Sequence, residues 1–270
     1  MTSGVRTGAL KAIQLKSRQQ IELMRQAGRV VNQVLARLVE MARPGCTTGA
    51  LNAEAERIIA AAGGDGLFKN YPNHRPGGPP FPGVICASVN EEVVHGIPGP
   101  RVLVEGDIVS VDCGIRLAGY CADAATTVPI GTVSGESARL IETTRTALEL
   151  AIGMIRPGRL WSEVARAMQK YVEQAGFSVV TEYVGHGIGT EMHEPPKVPN
   201  FWDGRWDSED FELLDGMTLA IEPMVNVGQS AVRSAADEWT ILTKDQKPSA
   251  HFEHTVAVRA DGAEALTDGS

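Results

Sequence analysis

Residues 106–123 read GDIVSVDCGIRLAGYCAD, and this stretch predicts two antiparallel strands joined by a tight turn near Leu117-Ala-Gly119. The hairpin places Asp112 and Asp123 opposite or diagonal to one another, each within an otherwise apolar run. Directly opposed cross-strand Cβ atoms lie about 4.5–5.5 Å apart, where two bare carboxylates repel. A cation between the acids is the simplest remedy, although an acid pair on a solvated strand face also fits the hairpin by itself.

Three more ionisable residues interrupt apolar or glycine-rich runs: His186 in YVGHG, Glu222 in LAIEP and Glu253 in HFEHTVAV. An ionised carboxylate in a buried strand is costly unless it is paired or bound to a metal, and no Lys or Arg accompanies these acids locally. Two divalent ions would neutralise four carboxylates, and oxygen ligands with one imidazole suit Mn, Fe, Co or Zn. Together the five residues predict a two-metal site.

The segments that carry these acids recur in the same order in both halves of the chain. MARPG over 41–45 is echoed by MIRPG over 154–158, GDIVSVD over 106–112 by GMTLAIE over 216–222, and Ala122-Asp123 by Phe252-Glu253. We therefore predict an α/β (α+β) fold of two helix–helix–strand–strand halves, each supplying two carboxylates. The halves are expected to fold against each other so that the acids meet on facing sheet surfaces.

Local signals give the expected element and domain boundaries. Capping-box spacing at Ser17–Gln20 predicts a helix that continues to Pro44-Gly45, and a second helix is predicted from near Thr48 to Gly63-Gly64. A helix in the second half ends at Gly176, and strands are expected around 84–90, 107–116 and 120–130. We expect one catalytic domain over 17–262, with halves at 17–133 and 134–262, an N-terminal extension over 1–16 and a C-terminal tail over 263–270.

Composition is that of an ordinary globular protein: 270 residues with 43% hydrophobic content can bury one large core or two modest ones. The first 20 residues contain basic residues but no apolar signal segment, and no stretch is long enough to span a bilayer, so a cytoplasmic location is predicted. The net charge of −8 argues against nucleic acid as the main partner. The chain has no CxxC pair, which predicts reduced and mostly buried thiols at Cys46, Cys86, Cys113 and Cys121.

Four motifs together resemble the type I methionine aminopeptidases: VICASVNEEVVHGIP over 84–98, GHGIGTEMHEPPKVPNF over 185–201, LAIEPMVN over 219–226 and FEHTVAV over 252–258. The resemblance spans about 17–260. It implies the pita-bread fold, a pseudo-symmetric α/β domain around a central dinuclear metal site. It also implies a metalloaminopeptidase that removes the initiator methionine from nascent proteins and peptides with a small second residue.

The resemblance assigns roles position by position. Five residues match the family's ligands of two divalent ions, namely Asp112, Asp123, His186, Glu222 and Glu253, with Asp123 and Glu253 bridging. A metal-bridged hydroxide would attack the scissile carbonyl, and Glu222 would also shuttle the proton. His193 would hydrogen-bond the substrate and steady the tetrahedral intermediate, while His95 would lie beside the scissile nitrogen. Without the other motifs, His95 would be interpreted as a core or turn histidine satisfied by backbone.

For the methionine side chain the family uses a small pocket of aromatic and sulfur-bearing residues, matched here by Phe81, Cys86, Met192 and Trp239. Thioether–aromatic contacts and a dry apolar wall favour an unbranched side chain of this volume. Ordinary core packing is an alternative for Cys86 and Met192. In a regular strand His254 points away from Glu253, so it is excluded from the site, and neither His74 nor His251 has enough context for a role.

The chain also departs from the family pattern. Residues 72–83 are longer and richer in Pro and Gly than the corresponding connection, which leaves the pocket rim undetermined. Cys113-Gly114 and Ala124-Ala125 follow the two hairpin acids where a hydroxyl residue is usual, which predicts weaker support for the metal ligands. Residues 203–212 replace a more basic stretch and are expected to form a surface loop.

The expected partners are the N-termini of nascent polypeptides, close to the ribosome, with no membrane or specific nucleic acid involved and the protein monomeric. A proline-specific dipeptidase or aminopeptidase of the same fold is the main alternative. Pro223-Met-Val-Asn226 and Glu253-His-Thr255 favour the methionine enzymes over it. The other alternative is a non-catalytic peptide- or RNA-binding paralogue. Such proteins lose ligands, whereas this chain retains all five and both histidines.

Overall fold

The structure is a computed structural model that describes residues 13–269. Ser17 caps the first helix: its hydroxyl accepts from the Gln20 N–H at 3.3 Å while the Gln20 side chain accepts from the Ser17 N–H at 2.8 Å. The predicted capping box is thus confirmed. The helices of the described residues are α1 (Arg18–Met41), α2 (Thr48–Ala61), α3 (Gly135–Met154) and α4 (Trp161–Gln174).

Short strands make up much of the remaining chain. They are β1 (Asp65–Gly66), β2 (Cys86–Val89), β3 (Glu92–Val94), β4 (Ile108–Leu117), β5 (Tyr120–Pro129), β6 (Ser178–Val179), β7 (Gly185–Gly187), β8 (Glu194–Val198), β9 (Thr218–Ile221), β10 (Met224–Asn226), β11 (Val232–Ser234), β12 (Ile241–Thr243), β13 (Ser249–His251), β14 (Glu253–Arg259) and β15 (Gly262–Ala265). The predicted strands around 84–90, 107–116 and 120–130 correspond to β2, β4 and β5, with ends shifted by one or two residues.

The main sheet has the order β1-β4-β5-β14-β9-β7-β8, with β2 also paired to β4 and β15 to β14. Two smaller sheets have the orders β13-β10-β6 and β11-β12-β3. The β4–β5 hairpin closes with Leu117 opposite Tyr120, and Ala118 and Gly119 between them have φ of 49° and 82°. Two successive positive φ values define a tight hairpin turn, which Gly119 adopts without steric cost.

Near the acids, side chains on one face of β4 and of β14 pack into the helical cores. On β4, Val109, Val111 and Ile115 belong to the core that includes α1 and α2, and on β14, Val256 and Val258 belong to the core that includes α3 and α4. Because side chains alternate along a strand, Asp112 and Glu253 project from the opposite face. The acids therefore lie on the face opposite these core residues.

One prediction about the halves is wrong. They do not present the acids from facing sheet surfaces, because β5 of the first half pairs directly with β14 of the second and makes the sheet continuous. The acids therefore meet on one face of a single sheet, with backbone hydrogen bonds joining the two halves.

The ends of the chain also contact this domain. Lys16 donates its backbone N–H to the Gly216 carbonyl at 2.7 Å, and the predicted tail over 263–270 begins within β15. Of the predicted N-terminal extension, residues 1–12 lie outside the described residues. Within the described residues, none of the helices combines the length and hydrophobicity needed to cross a bilayer. The four cysteines are free thiols and three of them are buried, as predicted.

Candidate metal centre and adjoining cavity

Strand register places the acids of the first half beside Glu253. Asp112 on β4 and Glu253 on β14 are both cross-strand partners of Ala125 on β5, and Asp123 precedes Ala125 by two residues. Cross-strand partners, and residues two apart on one strand, project from the same face. Asp123 itself is paired with Gly114, so the two hairpin acids are diagonal neighbours. The three carboxylates therefore project together.

The same logic adds the residues of the second half. His186 on β7 and Thr255 on β14 are both partners of Ala220 on β9. Thr255 follows Glu253 by two residues, and Glu222 follows Ala220 by two. His186 and Glu222 are thereby directed to the face that carries the other acids, so the structure brings all five predicted ligands together.

Distances within the cluster suit a shared cation. Asp123, His186 and Glu253 offer ligand atoms that all lie within 4.8 Å of one another, and Glu222 Oε1 is 3.7 Å from His186 Nε2. Two atoms bound to one ion at about 2.0–2.2 Å lie roughly 3–3.5 Å apart. The His186 Nδ1 is 2.8 Å from the Gly187 carbonyl oxygen, which fixes the ring and leaves Nε2 toward the acids.

The electrostatics of these buried acids also favour a cation. Burial, reinforced by neighbouring carboxylates, raises the pKa of Asp112, Glu222 and Glu253 well above the usual range, and burial raises the pKa of Asp123 to about 6. Among the described residues, no hydrogen-bond partner reaches three of their buried oxygens, which are Asp112 Oδ1, Asp123 Oδ1 and Glu253 Oε1. Burial lowers the pKa of His186 to about 3, so its imidazole is neutral and able to ligate. The donor set therefore fits divalent metal ions.

Thr255 makes hydrogen bonds to the backbone of Asp123. Its hydroxyl donates to the Asp123 carbonyl oxygen at 2.8 Å and accepts from the Asp123 N–H at 2.9 Å. Weaker support from residues 113–114 and 124–125 stays a prediction. The Asp123 backbone is bonded by a residue of β14, which belongs to the other half of the chain.

A cavity of about 320 Å³ opens beside the cluster, and it contains both predicted catalytic histidines. The His193 ring is 4.4 Å from the His186 ring, and its Nδ1 is 3.1 Å from the Tyr71 hydroxyl oxygen. His95 has a positive φ of 60° and an edge-to-face contact with Tyr183 at 5.7 Å. Burial, with the nearby His74 and His193, lowers the pKa of His95 to about 4, so this ring is also neutral.

The apolar end of the cavity holds the four residues predicted to contact a methionine side chain, Phe81, Cys86, Met192 and Trp239, which form one buried cluster with Phe68. The Phe81 and Trp239 rings meet edge to face at 5.2 Å, and the Trp239 indole N–H donates to the Pro79 carbonyl at 2.8 Å. The four residues pack against one another and also line the cavity. Core packing of Cys86 and Met192 is therefore compatible with a role in the pocket.

Several residues that line the cavity were not predicted to belong to the site, namely Phe68, Tyr71, Tyr183, Met224 and His251. His251 is buried, and its Nε2 lies 4.0 Å from Glu222 Oε2 with no hydrogen-bond partner among the described residues. Its position two residues before Glu253 was the one available signal for it. His254 bonds Thr267 through Nδ1 at 2.8 Å and lies away from the cavity, as predicted.

The two segments that depart from the family pattern differ in their relation to the cavity. His74 and Phe81 of the 72–83 segment line it, and the Asn73 amide donates to the Glu238 carbonyl at 3.3 Å beside Trp239. This segment therefore forms part of the rim. Residues 203–212 are mostly exposed, and none of them is among the described residues that line the cavity.

Comparison with known proteins identifies the class. A profile of metallopeptidase family M24 matches residues 22–260, and the chain belongs to this family. A prolidase from Pyrococcus furiosus has a TM-score of 0.74 at 18% identity, covering 95% of this chain and 66% of the prolidase, which shows a shared fold. The predicted pita-bread α/β fold is confirmed.

Within the family, the chain is similar to methionine aminopeptidases. It is 44% identical to methionine aminopeptidase 1 of Bacillus subtilis over 252 residues, covering 93% of this chain and 98% of that protein. A methionine aminopeptidase structure from Thermotoga maritima has a TM-score of 0.89 and 40% identity, covering 95% of this chain and 99% of that one. These similarities confirm the resemblance identified from the motifs.

Proposed function

We propose that the protein is a methionine aminopeptidase that removes the N-terminal methionine from peptides and nascent proteins with a small second residue. One observation carries this proposal: a buried cluster of four carboxylates and a histidine opens directly onto a cavity whose far end is aromatic and sulfur-bearing. The cluster suits hydrolysis assisted by metal ions, and the apolar end suits a thioether side chain. The high identity to methionine aminopeptidases supports the same substrate.

Five residues would hold two divalent ions: Asp112, Asp123, His186, Glu222 and Glu253, with Asp123 and Glu253 shared between the ions. When bound, such ions lower the pKa of a water molecule and polarise a carbonyl group. Glu222 directs one oxygen toward His186 and the other toward His251, at 3.7 and 4.0 Å. Its carboxylate can therefore ligate through one oxygen and take up and release a proton through the other.

The two cavity histidines would act on the substrate as neutral rings. The Tyr71 hydroxyl oxygen is 3.1 Å from His193 Nδ1, and in the tautomer in which the hydroxyl donates, the ring proton would lie on Nε2, where it could stabilise negative charge on the substrate oxygen. Burial lowers the pKa of His193, so this ring donates a hydrogen bond without carrying a charge. His95 would contact the scissile nitrogen.

Cavity size and lining would set specificity on both sides of the scissile bond. The wall of Phe81, Cys86, Met192 and Trp239 matches an unbranched apolar side chain, and burying a methionine side chain is worth roughly 1.5–3 kcal/mol. Tyr183, Met224 and His251 also line the cavity, and His251 lies 4.0 Å from Glu222. These bulky side chains would leave room for only a small second residue.

Nascent chains are the proposed substrates, so we propose that the protein acts in the cytoplasm near the ribosome. We further propose that it acts as a monomer.

Peptide hydrolysis tests the proposal. The apo-protein would be reconstituted separately with Mn, Fe, Co and Zn and given Met-Gly-Met, Ala-Pro and Gly-Pro. Release of methionine from Met-Gly-Met, with both proline dipeptides intact, is the expected result. Cleavage of the proline dipeptides instead would establish the proline-specific alternative, and cleavage of none of the three with any metal would favour a non-catalytic paralogue.

A further inference from the structure

A short loop between β7 and β8 carries Met192 and His193, and the carboxylate of Glu194 determines its shape. Glu194 Oε1 accepts hydrogen bonds from the backbone N–H of Thr190 at 2.8 Å and of Glu191 at 3.2 Å. The Glu194 side chain, at the end of the loop, is thus hydrogen-bonded to backbone near the start of the loop. Because His193 directly precedes Glu194, the direction of this carboxylate affects the position of the His193 ring.

The second oxygen of Glu194 contacts a distant lysine. Lys16, which precedes α1 and lies 178 residues away in sequence, pairs its Nζ with Glu194 Oε2. The two side chains are only 5% and 8% exposed. Among the described residues, Lys16 is the one cation within ion-pair distance of Glu194, and its Nζ also donates to the Gln14 carbonyl at 3.1 Å.

This ion pair packs directly against the loop backbone at Gly189. A Cβ atom at this position would lie 2.5 Å from Glu194 Oε1 and 2.5 Å from Lys16 Cε. A side chain at this position would therefore force the Lys16 and Glu194 side chains to shift. Lys16 is itself anchored, because its backbone N–H donates to Gly216 in the turn that leads into β9 and on to Glu222.

A buried pair of this kind has a characteristic energetic behaviour. Replacing both partners by neutral residues is often tolerated, whereas removing one partner leaves an uncompensated buried charge and is strongly destabilising. The carboxylate left without Lys16 would gain by turning toward water. Such a movement would release the Thr190 and Glu191 N–H groups and shift the loop that carries Met192 and His193.

We propose that Lys16 and Glu194 form a positioning pair, through which the segment before α1 holds Met192 and His193 in place at the cavity. The inference rests on the proposed function, since it concerns residues assigned to the methionine pocket and to the substrate oxygen. Neither member of the pair lines the cavity in the described residues, so the pair acts through the loop.

The main test compares Lys16→Met with Lys16→Arg in the full-length, metal-loaded protein. Lys16→Met keeps most of the side-chain volume and removes the charge. It should lower kcat for Met-Gly-Met by about 10- to 100-fold, the effect of a displacement near 1 Å, with a smaller change in KM. Metal content should stay at the wild-type value because no ligand is changed. Lys16→Arg keeps the charge and should recover most of the loss in kcat.

Arg25→Met is the matched control. The Arg25 guanidinium pairs with Glu264 and ties α1 to β15, with side chains 12% and 36% exposed; among the described residues its ion-pair partners are Glu264 and Glu22, both outside the 189–194 loop. This variant should lower the melting temperature and leave kcat unchanged. The double variant Lys16→Met/Glu194→Gln should have a kcat no lower than the worse single variant, because both single variants break the same contact.

Two results would overturn the proposal and make the pair purely structural. One is a kcat of Lys16→Met equal to that of the wild type, and the other is an equal fall in kcat in Lys16→Met and Arg25→Met. If Lys16→Met does not fold, Glu194→Gln is judged by the same criteria, since the neutral amide cannot form the ion pair that holds this side chain against the loop. Wild-type protein that releases no methionine would contradict the proposed function itself. An active wild type with unaffected variants would contradict only the positioning role.

Discussion

Removal of the metal ions should make stability fall as pH rises. Burial raises the pKa of Asp123 from an ordinary 3.8 to about 6 in the metal-free fold. Between these values the unfolded chain has lost a proton that the folded protein retains, so the free energy of unfolding decreases with pH. Raising the pKa of Asp123 from 3.8 to about 6 adds about 3 kcal/mol to the free energy of unfolding. This contribution is present below pH 4 and is lost as the pH rises through 6.

The remaining acids extend the effect above pH 6. Burial and mutual repulsion raise the pKa values of Asp112, Glu222 and Glu253 well above their usual range, so the metal-free protein continues to lose stability toward pH 8. Bound divalent ions stabilise the ionised carboxylates and reverse the sign. The loaded protein should be most stable at neutral pH and lose stability in acid, where protons displace the ions.

Urea unfolding followed by tryptophan fluorescence, at pH 5, 6, 7 and 8 with and without chelator, measures both slopes. Asp112→Asn should flatten the metal-free slope because one crowded carboxylate is gone. Asp107→Asn is the matched control for loss of a buried carboxylate, because this acid bonds Asn90 and the Val104 N–H outside the cluster. A metal-free protein whose stability is constant or increases from pH 5 to 8 would refute the reasoning.

Three further predictions concern the cavity. Glu222→Gln should lower kcat by about 10²–10⁴-fold with the fold retained, because an amide cannot exchange the proton; normal melting, two bound metals and near wild-type turnover would exclude Glu222 from the mechanism. Trp239→Ala should lower kcat/KM for methionine peptides by about 10- to 100-fold, because an apolar wall of the cavity is lost. The metal content of the variant should equal that of the wild type, and a loss of metal would make Trp239 a structural residue. In a library of Met-X peptides, Gly, Ala and Ser at the second position should be cleaved and Arg or Trp should not, because Tyr183, Met224 and His251 also line the cavity; equal turnover with Arg or Trp would contradict this.

The hairpin and the ligand cluster could be predicted because their signals are local. Asp112 and Asp123 stand in apolar strands around a recognisable turn, and a buried acid without a nearby base has few physical explanations. The internal repeat then indicated Glu222 and Glu253 as their equivalents. The pairing of β5 with β14 could not be predicted, since nothing in either strand specifies its neighbour, and this is why a continuous sheet replaced the expected facing surfaces.

Long-range contacts account for the other omissions. Tyr71 meets His193 across 122 residues of sequence, and Lys16 meets Glu194 across 178. No periodicity or motif connects such positions, and their partners become visible only in the folded chain. His251 differs, because its spacing from Glu253 was visible, but an isolated histidine is more often a satisfied core residue than part of a site.

Anomalous diffraction from crystals of the manganese-loaded protein would show directly whether the five residues hold two divalent ions. We expect two anomalous peaks roughly 3.5–4 Å apart beside the cavity. Asp123 and Glu253 should contact both peaks, Asp112 should contact one, and His186 and Glu222 should contact the other. A single peak, or peaks away from these five side chains, would rule out a two-metal site held by these residues.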